Sequence, residues 1–494
     1  MSGTRTAPTA ERNSLSTGRL GIWGIVFLVA SAAAPLTVVV SAAPMAFRLG
    51  GIGAPGAMLL CGAILALFAA GFTAMSTHVP NAGAFYAYAL HGLGKSAGVG
   101  LAFVTAYAYA FLCFCFYAFI GFFGELVLTE WFGSAPSWWV IALASAAAVA
   151  LLGMRQVDVG AKVLAVLVTA EVAILLVIAV AVLIIGGPEA PSAAGFDPRN
   201  ILAGGGIGML LVIGFGAFLG FEGTAIYAEE AKRPGRTIPR ATYLVVALLA
   251  AFYAFTFWIL TLAFGVEGVL AFAAGDNFES MVFAATTQFV GPLAAGVVQV
   301  LIVTSFFACI LAFHNACTRY LFSLGREGIL PSTLGRTHRV HKAPATASLA
   351  LSAACIAGIG IAGIGIAAVF VTDAYLGLAV WTYATGVLGL VFGQALAAVA
   401  VVAFFARDRR GHSPWRVVVA PVLGAAGLIA AVTLIVIHFD LTTGMNGAIN
   451  WVLILPTPLL FIAGMIYERI LKTRRPALWA ALGRTEKPVE RQAD

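Results

Sequence analysis

Gly204-Gly-Gly-Ile-Gly-Met-Leu-Leu-Val-Ile-Gly-Phe-Gly-Ala-Phe-Leu-Gly-Phe-Glu-Gly-Thr-Ala-Ile-Tyr-Ala-Glu-Glu-Ala-Lys-Arg-Pro-Gly-Arg-Thr-Ile-Pro-Arg240 begins as an apolar run and ends in a charged, proline-marked exit. Inside it stand Gly214, Gly216, Gly220 and Gly223, with Glu222 between the last two. Glycine lowers the cost of leaving helical geometry. In lipid, unwound backbone persists only where protein or a water-filled cavity satisfies its polar groups. A carboxylate at that depth is expensive and marks a functional site by default. The stretch therefore reads as a membrane helix broken at Gly216–Gly223 and lining a binding site. The plainer alternative is that the glycines only let helices pack closely, with Glu222 paired in the interface.

The rest of the chain supports a membrane setting. Of its 494 residues, 61% are hydrophobic and 10% are charged. The mean hydropathy is +0.99. These values exclude a soluble protein. Apolar runs long enough to cross a bilayer recur along the length and predict about twelve spans. The first run follows a polar segment of residues 1–19 and is too long for a signal peptide, so it reads as span one. Residues 473–494 read as a polar tail.

The net charge of +7 is a matter of topology rather than of nucleic acid. With residues 1–19 in the cytoplasm, nearly all Lys and Arg fall on cytoplasmic segments, among them Lys232, Arg233, Arg319, Arg326 and Arg407. Only Arg48 and Arg199 fall outside. The positive-inside rule then puts both termini in the cytoplasm of a plasma-membrane protein. The six cysteines lie in apolar runs without disulfide or zinc spacing, and the sequence calls for no metal or cofactor.

A second interruption lies in span one, Ser31-Ala-Ala-Ala-Pro-Leu-Thr37. Pro35 has no N–H, so the carbonyl four residues earlier loses its helical donor. A substrate or ion can supply another, or the proline is a simple kink. Span five, about residues 160–185, carries Glu171 near its middle. It is either a proton relay or a carboxyl paired across a helix interface. His314 and Asn315, in span eight, read as satisfied interior groups rather than as a titrating site.

Gly216–Glu222 followed by Glu229–Arg240 resembles the sixth span and exit loop of the amino acid–polyamine–organocation permeases, whose pattern is near F-x-G-F-E and then E-E-x-x-N-P-x-R-x-I-P. Arg233 stands in place of the usual Asn. Arg319–Pro331 resembles the same family at the end of span eight, and Val79–Tyr88 at the element after span two. In span one most relatives have a Gly-rich motif, where this chain has alanines and Pro35.

The resemblance implies an all-α membrane fold with a LeuT-type 5+5 inverted repeat. Its first repeat covers about residues 20–186, its second about 204–405, and two further helices about 416–472, within a transporter domain of residues 20–472. It implies a secondary transporter for amino acids working by alternating access, coupled to protons and not an enzyme. The alternatives are an exchanger, a polyamine carrier or, less favoured, a channel. The implied substrate contacts are the backbone of Ala33, Ala34 and Thr37 and of Phe218, Leu219, Gly220 and Phe221. Glu222 and Glu171 are the implied coupling or gating acids. Pro35, Gly216 and Gly223 are the helix breakers.

Overall fold

A computed structural model describes residues 18, 20–79, 83–153, 157–202, 206–338, 343–361, 374–444 and 447–483. Most of both tails, part of the element after span two (Pro80, Asn81 and Ala82), Gly204, Gly205, Arg155, Arg339 and Lys342 lie outside the described residues.

The described chain is built of helices. The principal ones are α1 (Ile22–Ala33), α2 (Pro35–Thr37), α3 (Ala54–Ser76), α4 (Phe85–Leu93), α5 (Lys95–Phe132), α6 (Trp138–Gly153), α7 (Val157–Ile185) and α8 (Ile207–Ala217). They continue as α9 (Gly223–Ile226), α10 (Pro234–Phe264), α11 (Pro292–Arg326), α12 (Ala345–Ile361), α13 (Val380–Arg407), α14 (Ala420–Ile437), α15 (Pro456–Arg474) and α16 (Pro476–Ala481). Among the described residues, eight helical stretches are long and apolar enough to cross a bilayer. α6, α8 and α12 are shorter apolar helices.

The outer surface carries many large apolar side chains. Val166, Val177 and Ile184 on α7, Ile429 on α14 and Ile466 on α15 are all exposed. A soluble monomer does not carry such an extended apolar surface, and a lipid-facing one must. The buried side packs α3 against α10, α5 against α13, α11 and α15, and α1 against α7, α10 and α11. Glycines make some of these approaches possible. A Cβ at Gly92 would lie 2.1 Å from the Ala400 carbonyl oxygen, and one at Gly464 2.6 Å from that of Val99.

The start of the segment expected as a polar tail from residue 473 is helical in part. α15 continues to Arg474, and α16 folds back so that Lys95 donates to the Trp479 carbonyl and covers its ring at 3.9 Å. An amphipathic tryptophan and a lysine at a helix start suffice to dock the segment.

Candidate functional site

Both expected interruptions are present, each with a local cause. α1 stops at Ala33 because Pro35 cannot continue its hydrogen-bond ladder. Ala34 takes a left-handed conformation (φ 41°), and Pro35 opens α2 at the first helical position, where its missing N–H costs nothing. α8 stops at Ala217. Tight turns follow, in which the N–H groups of Phe218, Leu219 and Phe221 donate to carbonyls three residues back. Gly220 sits at φ 98°, which only glycine adopts without strain, and α9 begins at Gly223. A Cβ on Gly220 would lie 2.5 Å from the Ala32 Cβ, so the two breaks touch.

Each break is held by a buried carboxylate. Glu222 accepts the Gly220 N–H at Oε2 (3.1 Å) and the Tyr109 hydroxyl at Oε1 (3.0 Å). Glu171, reaching over from α7, accepts the Leu36 N–H at Oε2 (3.3 Å), and its Oε1 has no hydrogen-bond partner among the described residues. Glu171 therefore sits against the N-terminal end of α2, where free N–H groups favour negative charge, and Glu222 closes the turn that precedes α9.

The carbonyls at the end of α1 are also engaged. Ala33 accepts the Tyr253 hydroxyl from α10 (2.9 Å), and Ala32 accepts the Cys309 thiol from α11 (3.1 Å). Thr37 pairs with Ser305 of α11 (2.9 Å). Sequence reasoning missed Tyr253, Cys309 and Ser305. They lie far along the chain and outside any motif, and only the rotation of each helix aims them at the break.

A narrow cavity lies against the breaks. Of the residues expected at a substrate, Ala33, Ala34, Thr37 and Leu219 line it, as does Gly216. Phe218, Gly220 and Phe221 do not. The Phe218 ring meets Tyr253 edge-on at 6.0 Å, and Phe221 meets Phe68 and Phe72 of α3 at 6.0 and 6.3 Å. The side chains of these two phenylalanines thus lock the break against α3 and α10 instead of facing the cavity. Tyr383 of α13, which the sequence places on the outer half of span ten without a role, also lines it. A Cβ on Gly216 would fall 1.8 Å from its hydroxyl, so only glycine lets the ring in.

On the other side of the breaks the helices are sealed. Leu20 donates to the Glu230 carbonyl (3.0 Å) and accepts from Lys232 (2.9 Å), tying the start of α1 to the exit after α9. The Glu230 carboxylate forms a two-point pair with Arg319 of α11, Nε to Oε2 at 2.7 Å and Nη2 to Oε1 at 3.1 Å. Arg319 also donates to the Asn315 carbonyl and lies 5.2 Å from the Tyr227 ring centroid. Such a planar fork is the strong form of ion pair. Nearby, His314 bonds Ser348 of α12 through Nε2 at 2.8 Å, while its buried Nδ1 has no hydrogen-bond partner among the described residues, so the satisfied interior role expected of it holds at one nitrogen.

The amino acid permease family model matches residues 24–480. The chain belongs to that family, within the amino acid–polyamine–organocation superfamily. This permease is 27% identical over 153 residues to the branched-chain amino acid permease BcaP of Bacillus subtilis (strain 168), covering 31% of this chain and 32% of that one. It is 29% identical over 185 residues to the histidine permease HisP of Lactococcus lactis subsp. cremoris (strain MG1363), covering 37% of each. With the low-affinity putrescine importer PlaP of Escherichia coli (strain K12) it shares 27% identity over 294 residues, 57% of this chain and 62% of that one. The permease thus spans about a third of the length of the first two relatives. A crystal structure of the Eremococcus coleocola manganese transporter, in complex with an aromatic bis-isothiourea substituted compound, superposes with a TM-score of 0.58 at 13% identity. It covers 94% of this chain and 100% of that one, and the likeness shows a shared LeuT-type fold.

Proposed function

We propose that the permease is a secondary transporter that takes up amino acids through the plasma membrane by alternating access, with a proton carried in the same cycle. The observation that carries this reading is one chamber lying against two helix breaks, with the Leu20–Glu230 and Arg319–Glu230 contacts closing the helices on the other side of the breaks. Substrate enters from the side of Met45, a cavity-lining residue beyond the break, and leaves on the side of the Leu20–Glu230 and Arg319–Glu230 contacts. With both termini in the cytoplasm, that seal is the inner gate and the chamber faces outward.

A substrate ammonium is met by the carbonyls at the end of α1, since a carbonyl that accepts one hydrogen bond keeps a second lone pair. A substrate carboxylate needs N–H donors, and those nearest are held by Glu171 and Glu222. Glu171 is the better coupling group. One oxygen holds Leu36 and the other has no partner among the described residues, so it can take a proton without breaking an existing bond. Protonation weakens its hold on Leu36 and frees that N–H. Glu222, gripped at both oxygens, is a fastening for the α8–α9 break.

Uptake of a radiolabelled amino acid mixture into proteoliposomes, with and without an inward proton gradient, tests the reading. Gradient-driven uptake that a proton ionophore abolishes, and that Glu171→Gln uncouples from pH, is expected. Uptake that requires preloaded substrate and ignores the gradient would make the permease an exchanger. No transport of any amino acid would refute the substrate assignment.

A further inference from the structure

We infer that the chamber selects amino acids with an uncharged aliphatic or aromatic side chain. The inference rests on the transporter reading above and deepens it, since the family's members differ in what they carry. No Asp, Glu, Lys, Arg or His lines the cavity among the described residues. The two nearest carboxylates are turned to other work, Glu222 to Tyr109 and Gly220, and Glu171 to Leu36. A side-chain ammonium or guanidinium would lose its hydration with no counter-charge to replace it, and a side-chain carboxylate would find no cation. A diamine fares worse, since it has no carboxylate of its own.

The polar groups of the chamber are few, and besides the Tyr383 hydroxyl beside Gly216 and the Cys309 thiol they belong to the span-one break and the turn after it. There stand the backbone of Ala32–Ala34 and Thr37, with its hydroxyl already paired to Ser305. Ser41, next along, spends its hydroxyl on the Thr37 carbonyl at 2.7 Å. The remaining wall is apolar, with Phe116 and Phe119 from α5, Met209 and Val212 from α8, and Val380 from α13. A zwitterion fits with its charged end at the breaks and its side chain on this wall. Met209 and the two phenylalanines can then adapt to branched or planar groups.

The test measures uptake of leucine, methionine, phenylalanine, lysine, glutamate and putrescine, each separately, by the full-length wild-type protein in proteoliposomes. The first three are expected to be carried with kcat/KM at least tenfold above the other three. Lysine, glutamate or putrescine carried as well as leucine would overturn the inference and leave the transporter reading standing. Transport of none of the six would overturn the inference, and the transporter reading falls with it if the full amino acid mixture is not carried either.

Val212→Phe locates the selectivity. It is expected to lower leucine uptake relative to alanine at least fivefold, and retained alanine uptake reports a folded protein. Should that variant carry neither, the milder Val380→Leu reads the same ratio. A leucine-to-alanine ratio unchanged in the active variant would show that the wall does not face the side chain and would sink the inference.

Discussion

Gly220 and Gly223 lie three residues apart in one motif, yet the structure gives them opposite tolerances. At Gly220 the backbone has φ 98°, and an added Cβ would come 2.5 Å from the Ala32 Cβ. Holding an L-residue in that conformation costs about 1–3 kcal/mol. Forcing the methyl between two packed helix breaks costs about 1–3 kcal/mol more. At about 4 kcal/mol together, Gly220→Ala shifts the equilibrium toward unfolded or rearranged states by roughly three decades. At Gly223 the backbone is helical, and the nearest atoms to a Cβ are Tyr227 Cε2 at 3.8 Å and Val29 Cγ2 at 3.9 Å. Gly223→Ala is ordinary contact and gains about 0.4–1 kcal/mol from the stiffer unfolded chain. Thermal unfolding of the detergent-purified protein, followed by size-exclusion chromatography, reads both variants, and uptake gives the functional counterpart. Gly220→Ala should unfold well below wild type and lose uptake, while Gly223→Ala should unfold at or above it. A Gly220→Ala protein as stable and active as wild type, or a Gly223→Ala protein that is the worse of the two, would refute the contact between the breaks.

Arg319→Met strands the buried Glu230 carboxylate and should cost about 3–5 kcal/mol, most of it regained in Arg319→Met/Glu230→Gln; a double-mutant cycle of unfolding energies measures this. Tyr253→Phe removes the hydroxyl from the Ala33 carbonyl and should cost about 1–3 kcal/mol in the same unfolding assay, with a fall in uptake because that carbonyl lines the chamber. His78 and His412 face each other through Nε2 atoms 3.2 Å apart, at the end of α3 and in the loop after α13. Burial, then Arg410 and His412, hold His78 below the ordinary histidine range, and burial with Arg416 does the same for His412. Lowered in the folded state, both resist protons that the unfolded chain accepts. Their contribution is therefore complete above about pH 6.5 and is lost as the pH falls below it. Unfolding midpoints at pH 5.0 and 7.5 should differ less in His78→Gln than in wild type.

The interruptions were legible because their causes are local. Pro35 lacks an N–H wherever it stands, and glycine around Glu222 marks unwound backbone in any membrane helix. Their occupants were not legible. Tyr253 is 220 residues from the carbonyl it binds, and Cys309 is 277 from its own. Nothing in either helix pattern says which face turns to the break. The same limit explains Phe218 and Phe221. Their place in the motif puts them at the break, but the backbone turn at Gly220 decides that their rings meet α3 and α10. Glu171 was legible as a costly acid, and its partner, a backbone N–H freed by a proline 136 positions earlier in the chain than the acid itself, was not.

The seal beneath the breaks also sets an order of assembly. Glu230 is synthesised 89 residues before Arg319. At about 5–20 residues per second, roughly 4–18 s pass before its counter-charge exists. Until then the carboxylate either stays in water or is buried in its protonated form, and the start of α1 is tied by the backbone bridge from Leu20. The two-point pair between Glu230 and Arg319 thus becomes available only once α11 has been made.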